Sequence, residues 1–155
     1  NTRENVESAA LHFANILFTV PQVSVRISML PEDHKKMLAF YLKFWTENRD
    51  LLLDGEFTPL SPEAHYPALI SQTNKEYIVA LYNRLFLDLP AGKQKIIIVN
   101  ATPQESVALN IPAGGKYYAK TYDCMGNVVH EGVFTPNGPV EFKIPRSGIW
   151  IAKAV

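Results

Sequence analysis

The stretch from Leu30 to Pro59 constrains this chain more than any other, because it is the longest periodic segment and has a clear start and stop. Pro31 suits the first helical position, Glu32 and Asp33 set negative charge at the positive end of the helix dipole, and Gly55 can take the left-handed backbone that stops a helix. Between these signals His34, Met37, Leu38, Tyr41, Leu42, Trp45 and Leu52 recur at three- and four-residue spacing, and Phe40, Phe44 and Leu51 load a neighbouring stripe. A surface helix needs one apolar stripe. This one is apolar around more than half its circumference, so it expects a sheet on one side and further protein on another.

Before it, Val6, Ala9, Ala10, Phe13 and Leu17 repeat with helical period, which predicts a short helix from Asn1 to about Phe18. Val20-Pro21 breaks that helix, and Gln22 to Met29 alternates like a strand or extended connector. After Gly55 the prolines Pro59, Pro62 and Pro67 predict a linker laid along a surface, with a domain boundary at about residues 56–64. The rest reads as short strands between turns: Ala68 to Ser71, Tyr77 to Leu81, Arg84 to Leu89, Ile96 to Val99, Val107 to Ile111, Tyr117 to Tyr122, Val128 to Phe134, Val140 to Ile144 and Gly148 to Val155. The expected fold is therefore α+β, with a helical segment of two helices over 1–58 and an antiparallel β-sandwich of about seven to nine strands over 59–155.

Charge and composition narrow the function. The chain's 15 basic and 15 acidic side chains cancel, with 6 and 8 through Pro62 and 9 and 7 after it. That balance argues against nucleic acid or an anionic membrane as partner, both of which need a basic excess. One cysteine, Cys124, excludes an internal disulfide and a multi-cysteine zinc site. No apolar run approaches the ~20 residues of a membrane-spanning helix. The chain opens at Asn1 on a helical pattern, without an initiator methionine or signal peptide, and reads as a mature product or as a piece of something longer.

Few residues announce chemistry. Asp54 and Glu56 could form a carboxylate pair, but two residues apart on a helix-to-loop corner they read better as a solvated end. Asp123, in Asp-Cys-Met-Gly-Asn, reads as a hairpin turn, and Asp88 as the outward face of a strand. His12, His34, His65 and His130 show no metal-ligand spacing; His34 suits a cap or surface, and His12 is equally well an interior histidine. Cys124 reads as a packed or turn-edge cysteine. Tyr117, Tyr118, Tyr122, Phe134, Phe142 and Trp150 could form a sugar-stacking platform, though alternation sends about half of them inward, with Tyr118 and Tyr122 on one face and Tyr117 on the other. Asn100-Ala101-Thr102 matches the glycosylation acceptor. No catalytic, cofactor-binding or metal-binding residue is assigned.

The run from Phe40 to Phe57, FYLKFWTENRDLLLDGEF, resembles the end of the catalytic barrel in α-galactosidase-like glycoside hydrolases of family 36 and their clan relatives. In that family a last barrel helix passes straight into a C-terminal β-sandwich, and Arg49, Leu51, Gly55 and Leu60 stand in for its arginine, glycine and leucines. The segments Tyr122 to Val129 and Ile144 to Ile149 also resemble that sandwich. The resemblance implies a non-catalytic C-terminal part, with Val20 to Met29 as the last barrel-strand region and an extracellular or periplasmic location. The partner it implies is the upstream barrel of the same polypeptide. The family's two catalytic aspartates lie on earlier strands, and Asn1 to Met29 holds no Asp. If the piece stands alone, the faces of Phe40, Phe44, Trp45 and Leu51 should form a homodimer or be covered by the Asn1–Phe18 helix. Two rivals remain: a free-standing carbohydrate-binding sandwich, and a small hydrolase using Asp54, Glu56 or Asp123.

Overall fold

A computed structural model describes residues 2–22, 26–60 and 67–155. Among the described residues three α-helices, α1 (Thr2–Asn15), α2 (Glu32–Glu47) and α3 (Arg49–Asp54), precede ten strands. These are β1 (Glu56–Leu60), β2 (Ala68–Gln72), β3 (Glu76–Leu81), β4 (Leu87–Asp88), β5 (Lys95–Asn100), β6 (Ser106–Ile111), β7 (Tyr117–Tyr122), β8 (Val128–Phe134), β9 (Gly138–Lys143) and β10 (Ile149–Ala154). The α+β class with a sandwich of sheets is as expected. The sheets are mixed rather than wholly antiparallel. Seven strands run in the order β1-β2-β3-β5-β10-β7-β8 and three in the order β4-β6-β9, with β3 parallel to β5 and β4 parallel to β6.

The central strands are apolar on both faces because both are covered. Tyr77, Val79 and Leu81 of β3, Ile96 and Ile98 of β5, and Trp150 and Ala152 of β10 face the small sheet and join Val107, Leu109 and Ile111 of β6. Ile78, Ala80, Ile97, Val99 and Ile149 face the other way, into a second core with Met37, Tyr41, Phe44, Leu51 and Leu52 of the helices. This is why Ile96 to Val99 is an unbroken apolar run, whereas β6, with one face outward, alternates. Helix α1 lies on α2, and Val6, Ala10 and Ala14 of α1 with Leu17 just after it join the same core; Phe44 and Leu51 are buried, and Phe40, packed on Tyr122, and Trp45 are partly so. The N-terminal helix thus covers part of those faces, and the large sheet covers Leu51 and Phe40.

Five local expectations are corrected. The long helix breaks at Asn48 (φ −115°, ψ 15°), whose side-chain Nδ2 donates to the Phe44 carbonyl at 2.9 Å and whose side-chain Oδ1 accepts from Lys95 Nζ at 2.7 Å. Gly55 is extended (φ −69°, ψ 164°), not left-handed; a Cβ there would stand 2.4 Å from Ser71 Oγ and 2.6 Å from the Leu51 carbonyl, so close approach requires the glycine. Residues 56–60 of the expected linker form edge strand β1, paired with β2, where Pro59 sits opposite Leu69. An edge strand spends half its backbone N–H groups on no partner, so proline is tolerated there. Ile27–Met29 is a 3-10 turn rather than a strand, while Val23 and Val25 lie outside the described residues. The segment Arg84 to Leu89 shortens to the two-residue β4.

Candidate functional site

The carboxylates singled out in the sequence do not meet. Asp54 closes α3 and Glu56 opens β1, both exposed. Asp123 is engaged in its turn: Oδ1 accepts from the backbone N–H of Met125 at 3.0 Å and of Asn127 at 2.9 Å, and Oδ2 accepts from Asn127 Nδ2 at 2.9 Å. Asp88 is exposed and accepts from Asn110 Nδ2 at 2.9 Å. Cys124 is buried in the helix-facing core. His12 is exposed on α1 rather than interior, because it falls outside the stripe of Val6, Ala10 and Ala14. His34 hydrogen-bonds Asp33 at 2.9 Å, which holds the Asp33 carboxyl below its ordinary range. His130 is exposed on β8, and His65 lies outside the described residues. Among the described residues no three acidic, histidine or cysteine side chains cluster as metal ligands, and no helix is long and apolar enough to cross a membrane.

Asn100 is fully buried. Its Nδ2 donates to the carbonyls of Gln104 and Ile144, each at 2.8 Å, and its Oδ1 accepts from Thr102 Oγ1 at 2.6 Å. The acceptor-like triplet is therefore an internal staple between loops, closed to modification in the folded chain.

The aromatics divide as alternation requires. Tyr117 is buried and its hydroxyl donates to the Lys93 carbonyl; Tyr118, on the opposite face and 40% exposed, donates to Glu131 Oε2 at 2.8 Å. That bond to a carboxylate raises the Tyr118 pKa. Tyr122 packs on Phe40 of α2, ring centres 5.6 Å apart. The structure gathers the other three. Phe142 stacks on Trp150 at 4.8 Å and 25°, and Phe134 meets both edge-on at 6.1 and 5.6 Å.

These rings line a cleft of about 530 Å³. It lies where β7 and β8 of the large sheet face the end of β9 and the segment just before β6. Thr121 of β7 lines it with Glu105, His130 and Lys143, alongside Trp150 and Phe142. Sequence reading found the rings but not Thr121, although its register with Tyr117 and Ala119 along one face of β7 was the available signal. Glu105 and Lys143 gave none, since they come together only through the pairing of β6 with β9.

A second cavity, about 600 Å³, lies where α1 meets the loop before β10. Arg146 Nη2 pairs with Glu7 Oε2 at 3.2 Å, and Ser147, at φ 59°, donates from Oγ to the Glu7 carbonyl at 2.8 Å. The Ser147 carbonyl accepts from the Tyr41 hydroxyl. A serine in left-handed backbone costs ~1 kcal/mol or more, so this corner is held by its contacts rather than by local preference. Its chemistry is that of a clasp between helix and sandwich.

Comparison of the chain with protein-family models, with curated proteins and with solved structures returned no match in any of the three.

Proposed function

We propose that this chain is the non-catalytic C-terminal part of an α-galactosidase-like glycoside hydrolase, its helices ending the catalytic barrel and its sandwich bracing that barrel during hydrolysis of α-galactosides. The observation that carries the reading is the junction: α3 ends at Asp54 and β1 begins at Glu56, with only Gly55 between them. A helix that passes into a sheet through one residue is coupled rigidly to it, as a brace requires. The structural employment of Asp123 and Asp88 and the solvated placing of Asp54 and Glu56 also support it. A second reading, a free-standing carbohydrate-binding sandwich, draws on the aromatic cleft between the sheets.

An antibody raised against the purified chain tests the first reading through the native polypeptide it captures. The expected catch is a polypeptide much larger than 17.4 kDa that hydrolyses an aryl α-galactoside. A native polypeptide no larger than the chain itself would overturn the reading in favour of the second.

A further inference from the structure

We propose that the cleft between β8 and β9 binds one neutral sugar unit, its ring laid against Phe134 and Phe142 and its hydroxyls met by Thr121, Glu105, His130 and Lys143. The inference deepens the carbohydrate-binding reading and rests on it, and it holds equally if the sandwich belongs to a hydrolase. The cleft's volume of about 530 Å³ falls in the range of small-molecule sites, which join an apolar lining to a few polar groups. Its apolar part is the cluster of three rings, of which Phe134 and Phe142 are half-buried and so present surface to the cleft.

The polar part decides the ligand class. Thr121 is 4% exposed and lines the cleft, and its hydroxyl makes no hydrogen bond with another described residue. That hydroxyl is open to the cleft rather than sealed among protein atoms, so a ligand there can take its hydrogen bond in place of water. Around the rim stand a carboxylate, an ammonium and an imidazole, from Glu105, Lys143 and His130. The carboxylate only accepts hydrogen bonds and the ammonium only donates them. An anionic ligand would meet Glu105 and a cationic one Lys143. A polyhydroxy ring satisfies both, because each hydroxyl donates and accepts, and its C–H face suits an aromatic ring.

Titration of the unaltered chain with methyl glycosides of galactose, glucose and mannose, followed by backbone amide and tryptophan indole resonances, tests this. Saturable shifts are expected at Thr121, Gly132, Phe142 and Trp150 with at least one glycoside. Thr121→Val, which keeps the side-chain shape, and Glu105→Gln should each weaken that binding, Glu105→Gln about tenfold. Cyclohexanol, a ring with one hydroxyl, should bind far more weakly. The proposal is overturned if no glycoside gives saturable shifts, if the shifts fall outside the cleft, if cyclohexanol binds as well, or if both variants bind like the parent. None of these results bears on the size of the native polypeptide, so the two proposals fail separately.

Discussion

Asn100 joins two loops through one buried amide: it bonds Gln104, Ile144 and Thr102 by its side chain, while its backbone accepts from the Ser147 N–H at 2.8 Å. Asn100→Ala strands several of these groups away from water, each at a cost of about 1–3 kcal/mol, so a loss of roughly 3 kcal/mol is expected in urea unfolding. Gly55→Ala should cost about 1–3 kcal/mol by the same measurement, since the added methyl overlaps Ser71 Oγ and the Leu51 carbonyl. Gly132→Ala is the control. A Cβ at Gly132 meets nothing within 4 Å, and its effect should stay within about 0.5 kcal/mol. At this scale the sequence was legible in kind but not in cause. Gly55 does mark the helix end, yet the reason is a contact with β2, residues away in the chain, that no local pattern encodes.

Among the elements, α1 and the turn that follows it are also tied to the body by specific hydrogen bonds. The Tyr82 hydroxyl donates to the Ala14 carbonyl at 2.7 Å, and Trp45 Nε1 donates to the carbonyls of Leu17 and Thr19 at 3.1 and 3.0 Å. Tyr82→Phe removes one of these bonds while keeping the ring, and should cost about 1 kcal/mol. Amide exchange should quicken in α1 and remain unchanged in β3, β5 and β10, because the helix is a separate layer on the sheet. The strands were readable because their period of two and their turn residues are local signals, as in β6 and β7. Which strands pair was not readable. The parallel union of β3 and β5 and the meeting of β8 with β9 arise from long-range packing, and so the cleft was invisible while its rings were not. Edge strand β1 was hidden by Pro59, a residue that excludes a central strand and permits an edge.

For the whole molecule, one sheet shared by two cores makes stability depend on tyrosines buried against it. Burial pushes the Tyr41 and Tyr77 hydroxyls well up and Tyr82 up from 10.0 to about 12. The folded state then keeps a proton that the unfolded chain releases, so this contribution is complete below pH 10.0 and is lost as pH rises through about 12. Urea midpoints should fall as pH rises through that window. Lys95 works weakly the other way, because burial lowers its pKa and rising pH relieves the cost of its charge. The same shared sheet is what would make the chain a brace: helices that could close a barrel on one face, a second sheet on the other. The most direct test of that account is hydrolysis of an aryl α-galactoside and a panel of other aryl glycosides by the purified chain, beside an Asp54→Asn, Glu56→Gln double variant. No turnover above the blank by either protein is the predicted result; turnover by the parent that the double variant loses would contradict it.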